Sequence, residues 1–427
     1  MKSQFSIFKK TILNNGLRII TVPMKNTRTV TVLVLVGTGS KYETKDINGI
    51  SHFLEHMFFK GTEKRPNKLA IAETLDRVGG IYNAFTGREF TGYFAKVSAK
   101  HLDLAVDWVS DIFLNSKIEE QEIDRERGVI LEEINMYLDM PMLYIEDLWE
   151  KLLYGNQPAG WLNIGKKEIV KKLKREQFLS YLREHYTSKN TIVCVAGNID
   201  PKTIEGKIKD YFKNIKTILP KPKLKVIEKQ TKPQYLIHFK KTDQTHLALG
   251  ARGYDLFSPK KYTQTVLATI LGGNMSSRLF ISVREEKGLA YYIKTPTETY
   301  VDTGYLVTLA GIRNEKVEEA ITLILKEYEA MKNKKINKEE LKKAKDYLKG
   351  TLTLSLESSD AQASFYTGQE LLTGKILTPE EEFEKIDQVT ENDILKVAKD
   401  IFQPEKLNLA LIGPFKDKNK FQKLLKV

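Results

Sequence analysis

Tyr186-Thr-Ser-Lys-Asn-Thr-Ile-Val-Cys-Val-Ala-Gly197 returns 216 residues later as Phe402-Gln-Pro-Glu-Lys-Leu-Asn-Leu-Ala-Leu-Ile-Gly413. Each copy is an aromatic residue, a polar loop and an apolar run closed by glycine, the pattern of a buried strand. Moving outward, residues 101–115 have a helical counterpart beginning near Val317, and Gln121-Glu-Ile123 has one in Lys338-Glu-Glu-Leu341. The strand pair expected over 81–98 is matched by residues 291–310, after a glycine turn at Gly288. Repetition at one long offset means a duplicated unit. The expected fold is therefore α+β, with two homologous domains of about 210 residues, each a mostly antiparallel sheet packed with helices.

The expected division is 1–218, a linker over 219–233, and 234–427. The linker is rich in proline and lysine and has no amphipathic period, so it reads as extended and exposed. Within the first domain, Asn14-Asn-Gly16 signals a hairpin before strands at 17–22 and 29–36. Helices are expected at 47–59 and 68–78, strands at 81–86 and 90–98, then long helical patterns and a last strand at 190–198.

A chain of 427 residues with 41% hydrophobic and 29% charged residues has ample material for folded cores. The lone cysteine, Cys194, lies inside an apolar run, so it reads as a small buried hydrophobe, forms no intrachain disulfide and points to a reducing compartment. The first ten residues lack the apolar stretch of a secretory signal, and no segment reaches the roughly 18 apolar residues of a membrane span. A cytoplasmic protein without a membrane partner is expected. The 68 basic residues exceed the 55 acidic ones by 13, but the two signs are mixed along the chain, which argues against nucleic acid as a partner.

The chemistry concentrates in His52-Phe-Leu-Glu-His56. On a helix, two histidines four apart project about 40° from each other and can grip one ion. Glu55 falls at about −60° from His52 on the same wheel, while Phe53 and Leu54 turn to the core. H-x-x-E-H is an inverted zincin pattern. A carboxylate beside a zinc-bound water serves a hydrolase as general base, because zinc lowers the pKa of that water toward about 7. Zinc normally takes a third protein ligand. The acidic helix over 118–135 offers Glu126 and Glu133, seven apart on one face with Glu122 near the same stripe, and geometry alone does not choose between them.

His52-Phe-Leu-Glu-His56-Met-Phe-Phe-Lys-Gly61-Thr62, Asn83-Ala-Phe-Thr86 and Glu126-Arg-Gly-Val-Ile-Leu-Glu-Glu-Ile134 together resemble the pitrilysin/insulinase-type zinc peptidases. In particular the chain resembles the short members related to the mitochondrial processing peptidase, and the resemblance covers the whole chain. It implies Zn2+ held by His52, His56 and Glu133, which lies 77 residues after His56, and Glu126 orienting a ligand histidine. It implies one ion per chain, since the second-half helix near Tyr262 carries no such motif. Arg284 and Tyr291 match the family's R-x6-Y pair, which contacts the substrate carbonyl from the opposite half of a closed chamber. Asn83, Ala84 and Phe85 fall on its edge strand, where substrate is bound as an added strand.

The expected function is a zinc metalloendopeptidase acting on short or unfolded polypeptides in that chamber, zinc-bound water attacking with Glu55 as general base. A homodimer is the expected assembly, with a heterodimer of related subunits as the other possibility. The competing reading is a catalytically inactive structural or assembly subunit of the same fold. Retention of all four residues of the zinc site, and a glycine stretch limited to Gly272-Gly-Asn-Met275, argue against it.

Overall fold

Asn14-Asn-Gly16 turns the chain between β1 (Lys9–Ile12) and β2 (Arg18–Pro23), with Gly16 at a φ of 85° that favours glycine. The computed structural model describes residues 7–417 and 419–425. β3 (Thr29–Val36) leads to α1 (Ile50–Met57), α2 (Lys68–Asp76), β4 (Ile81–Thr86) and β5 (Thr91–Ser98). Then come α3 (Leu102–Asn115), α4 (Glu120–Asp139), α5 (Pro141–Tyr154), α6 (Lys167–Val170), α7 (Arg175–His185), β6 (Thr191–Gly197) and α8 (Pro201–Phe212). The second half contributes β7 (Gln234–Phe239), β8 (Gln244–Arg252), α9 (Lys261–Gly272), β9 (Ala290–Lys294), β10 (Thr297–Thr299) and β11 (Gly304–Arg313). It ends with α10 (Val317–Asn333), α11 (Lys338–Ser355), α12 (Ser359–Thr373), α13 (Pro379–Asp387), α14 (Glu391–Ile401) and β12 (Leu407–Gly413).

The first sheet has the order β1-β2-β6-β3-β5-β4, antiparallel except where β2 and β6 run parallel. The second has the order β7-β12-β8-β11-β10, with β7 and β12 parallel and β9 also paired to β11. Leaving out β1, the two sheets share one topology, and the duplicated segments 186–197 and 402–413 contain β6 and β12. The copies differ at one edge: β4 is a single strand, whereas its counterpart is broken into β9 and β10. The strand pair expected over 291–310 is thus three strands.

β3 is buried at seven of its eight positions, which explains a run apolar or β-branched at both parities: both faces are covered. One cover is unexpected from sequence order. α12, from the second half, lays Ala363 and Tyr366 on Ile20, Val22, Leu33, Ile192 and Cys194. Ser359 reinforces it with a hydroxyl contact to Thr31 at 2.8 Å. Conversely α5, from the first half, packs Ile145, Leu148, Trp149 and Leu153 on Ala248, Val307, Leu309, Ala410 and Ile412 of the second sheet.

The packing units are consequently discontinuous. One comprises the chain up to Asn135 with Leu162–Leu224 and Thr353–Thr378; the other comprises Met136–Trp161, Lys225–Leu352 and the chain from Pro379. They differ from the contiguous division 1–218 and 234–427 because each sheet takes one covering helix from the other half of the sequence. The proline- and lysine-rich stretch after α8 has no regular structure, as expected, yet it is not wholly exposed. Val226 is 8% exposed, its N–H donates to Asp302 Oδ2 at 2.9 Å, and Ile227 N–H donates to Gln157 Oε1 at 2.9 Å. Among the described residues, no helix is long and apolar enough to cross a membrane.

His185 closes α7 with its ring buried against Tyr42 and Tyr181, and its Nδ1 finds no hydrogen-bond partner. Burial pushes its pKa down to about 4 from 6.5, with Glu184 opposing the shift. The unfolded chain therefore takes up a proton that the folded chain refuses as pH falls from 6.5 toward 4. Stability is unaffected above that window and declines by about 3 kcal/mol across it. Urea melts of the natural chain and His185→Phe should show that share of the acid loss disappearing in the variant.

Candidate active site

α1 begins at Ile50, later than the expected 47, because Gly49 stands at φ 100°. A Cβ there would lie 2.8 Å from Ile164 O, so glycine is required by both conformation and space. Gly49 has no side chain with which to cap the helix, and Glu43 does so from outside. Its carboxylate accepts from Gly49 N–H at 2.7 Å, Ser51 N–H at 2.9 Å and Asn48 Nδ2 at 2.9 Å. Burial pushes the Glu43 pKa up against these three donors. Glu43→Ala leaves buried helix N–H groups unpaired and should cost about 3 kcal/mol of folding stability, read by denaturant melts.

Anchored in this way, α1 buries Ile50, Phe53, Leu54 and Met57 and turns His52, Glu55 and His56 outward. Facing them is α4, the acidic helix. Arg127 on α4 stacks over the Phe53 ring and donates to Leu173 O at 2.9 Å, which fixes the rotation of the helix. The chain enters α4 through Ile118, a buried β-branched residue at a φ of 49°, a conformation that costs such a residue energy.

His52, His56 and Glu133 each present one ligand atom within 4.8 Å of the others. His52 Nε2 lies 3.6 Å from one Glu133 oxygen and His56 Nε2 lies 3.5 Å from the other. Tetrahedral zinc with bonds near 2.0–2.1 Å sets its ligands about 3.3 Å apart, so the spacing suits an ion held among the three. Two imidazole nitrogens and one carboxylate oxygen are also the donor set of an open, catalytic zinc site. His52 Nδ1 is buried without a partner.

Glu126 takes a different place. Its Oε1 meets His56 Nδ1 at 2.8 Å and its Oε2 pairs with the ammonium of Lys60. An ionised carboxylate only accepts, so His56 Nδ1 carries a proton and Nε2 is the nitrogen turned to Glu133. Burial opposes charge on His56, but Glu126 and Glu133 outweigh it and push its pKa up to about 9; Glu133 is pulled down to about 2 by His52 and His56. Glu126 is lowered by His56 and Lys60 against the effect of burial. Glu122, placed near this stripe by the helical wheel, instead pairs with Arg125.

Asn83, Ala84 and Phe85 lie on β4, the edge of the first sheet. Phe85 fits because its cross-strand neighbour is Gly92, where a Cβ would meet the ring at 2.2 Å. The Ala84 N–H is held by its neighbour's side chain, Asn83 Oδ1, at 2.9 Å. In the other unit, Arg284 lies within a π-helical turn, Phe280–Glu285, with its guanidinium 4.6 Å from the Phe280 ring centroid. Tyr291 on β9 is 76% exposed, unusual for a large aromatic side chain.

Two residues that shape the site have no role assigned by the sequence reading, Glu43 and Lys60. Lys60 lies just past the end of α1, where helical spacing no longer applies, and its contact with Glu126 is what reveals it.

Residues 18–161 match the model of Insulinase (Peptidase family M16), and residues 172–348 match that of the Peptidase M16 inactive domain. The chain is 38% identical to the uncharacterized zinc protease YmxG of Bacillus subtilis, over 96% of its own length and 98% of that protein. It belongs to peptidase family M16. An uncharacterized zinc protease of Streptomyces coelicolor is 33% identical over 96% of this M16 chain and 90% of its own. Among solved structures, a protease from Helicobacter pylori shares the M16 fold with a TM-score of 0.88, at 24% identity over 95% of this chain and 99% of that one. A chain of complex III2 from Candida albicans shares it at 0.84, with 20% identity over 98% and 100%. The inactive-domain match spans α9, where the offset of 216 sets Ala268, Leu271 and Gly272, all buried, against His52, Glu55 and His56.

Proposed function

We propose that this M16 chain is a zinc metalloendopeptidase that hydrolyses short or unfolded polypeptides. The observation that carries the reading is the meeting of His52, His56 and Glu133 with Glu55 between the two histidines on one helix. A zinc ion held by these three would polarise a peptide carbonyl and bring the pKa of water toward about 7. Glu55 accepts the proton of the attacking water and delivers it to the departing amine nitrogen. Glu126 orients His56 through Nδ1.

An extended peptide adds to the free edge of β4, displacing the Asn83 side chain from the Ala84 N–H, so recognition is mainly through backbone. Arg284 and Tyr291 of a second copy of the chain steady the carbonyl oxygen as its charge grows, in a homodimer. The exposed ring of Tyr291 suits contact with a ligand. The lone, fully buried Cys194 suits a cytoplasmic setting. The names of the curated relatives support protease chemistry.

The test is metal content together with cleavage of a quenched fluorescent peptide library by the purified chain. About one zinc per chain, and cleavage abolished by a chelator and restored by zinc, is the expected result. Zinc-loaded, folded dimer that cuts no peptide overturns the reading in favour of an inactive assembly subunit.

A further inference from the structure

We propose that Lys60 is a positioning residue for the metal centre, acting through Glu126 on His56. The inference rests on the zinc reading above and extends it to a residue beyond His52-Phe-Leu-Glu-His56. Lys60 follows α1 by three residues, and its N–H donates to Met57 O at 3.2 Å, which keeps it in register with the last turn of the helix. From there its ammonium reaches Glu126 Oε2, the oxygen that His56 does not use.

The two charges are removed from water together: the Lys60 side chain is 9% exposed and that of Glu126 is 10% exposed. A buried ammonium beside a buried carboxylate is held in place firmly, since neither is readily satisfied elsewhere. The Glu126 oxygens are divided between two donors, Oε1 to His56 Nδ1 and Oε2 to Lys60. With only His56 bound, the carboxylate is free to turn about its terminal bond. With Lys60 on the second oxygen its plane is set, and the ring of His56 is set with it.

The same arrangement explains why two glutamates on one helix face have different tasks. Glu126 has one oxygen on His56 Nδ1 and the other on Lys60, which keeps it on the Nδ1 side of the His56 ring, whereas Glu133 spans the two Nε2 atoms. Lys60 thus keeps Glu126 an orienting group and leaves Glu133 as the ligand. The cation also compensates the second carboxylate in a site that must lower the pKa of water, where surplus negative charge would oppose the task.

The experiment measures zinc dissociation constants by competition with a chromophoric chelator for the natural chain, Lys60→Met, Lys60→Arg, Glu126→Gln and the Lys60→Met/Glu126→Gln double variant. Metal-free melting temperatures are recorded alongside. Lys60→Met should weaken zinc binding about 10- to 100-fold, the range for loss of a group that orients a ligand. Lys60→Arg, which keeps a cation within reach of Oε2, should recover most of the affinity. In the Glu126→Gln background, Lys60→Met should weaken binding no further, because the route through Glu126 is already cut.

A merely structural lysine would lower the metal-free melting temperature while leaving zinc affinity unchanged; that result overturns the inference. So does an equal loss from Lys60→Met in both backgrounds, which would mean that it acts independently of Glu126. If the natural chain binds zinc and Lys60→Met binds it as tightly, only this inference falls. If the natural chain itself has no zinc affinity, the peptidase reading falls with it.

Discussion

Glu55→Gln should keep one zinc per chain and lose about 10²- to 10⁴-fold in kcat on a fluorescent peptide. The substitution is nearly isosteric and leaves His52, His56 and Glu133 untouched, so metal content should not change. What it removes is a group able to take a proton and return it. A loss of 10⁴-fold corresponds to about 5.5 kcal/mol of the activation barrier, a large share for one side chain. In the proposed mechanism proton transfer falls to Glu55, which turns outward with His52 and His56 while Phe53 and Leu54 occupy the buried side of the same turn. Folding should be unaffected, because Glu55 caps no helix and fills no core. Zinc measured by atomic emission and kcat measured on the same preparation separate the two effects. A variant within tenfold of the natural rate would remove Glu55 from the role of base, and one that lost its zinc would assign it to metal binding.

The regular elements are legible in the sequence because their signals are local. Thr29–Val36 reads as a doubly covered strand, and Gly79-Gly80 ends a helical pattern that the structure ends at Asp76. The duplication is legible because β6 and β12 are both central strands, buried throughout, and burial on both faces constrains their composition most tightly. The exchange of α5 and α12 is not legible. An amphipathic helix shows that it has an apolar face but not which sheet receives it, and here the receiver lies far away in sequence. Glu43 is hidden for a related reason: it caps a helix seven residues ahead of it, beyond the usual spacing of a capping motif, because Gly49 provides no side chain. The helical wheel brings Glu126 and Glu133 onto one face correctly and then loses discrimination. Seven residues are two turns, about 10.5 Å along the axis, a distance that a wheel projects to zero.

That axial distance underlies the second large effect. Glu133→Ala should weaken zinc binding by more than 100-fold, and Glu126→Ala by about 10- to 100-fold, the range for partners that orient ligands. Two turns along α4 separate a carboxylate at His56 Nδ1 from one that faces the Nε2 atoms of both histidines. Removing Glu133 leaves two neutral nitrogens without an anionic ligand, so both charge and coordination number fall. Removing Glu126 leaves all three ligands but frees the ring of His56. Thermal melting gives an independent reading, since a ligand that binds only the folded chain stabilises it by about 2.7 kcal/mol at a hundred times its dissociation constant. At a zinc concentration chosen for the natural chain, its melting temperature should rise, that of Glu126→Ala should rise less, and that of Glu133→Ala should not move. The reverse order, with Glu126→Ala the more damaged, would make Glu126 the ligand and Glu133 its support, and would require α4 to shift along its axis when the metal binds.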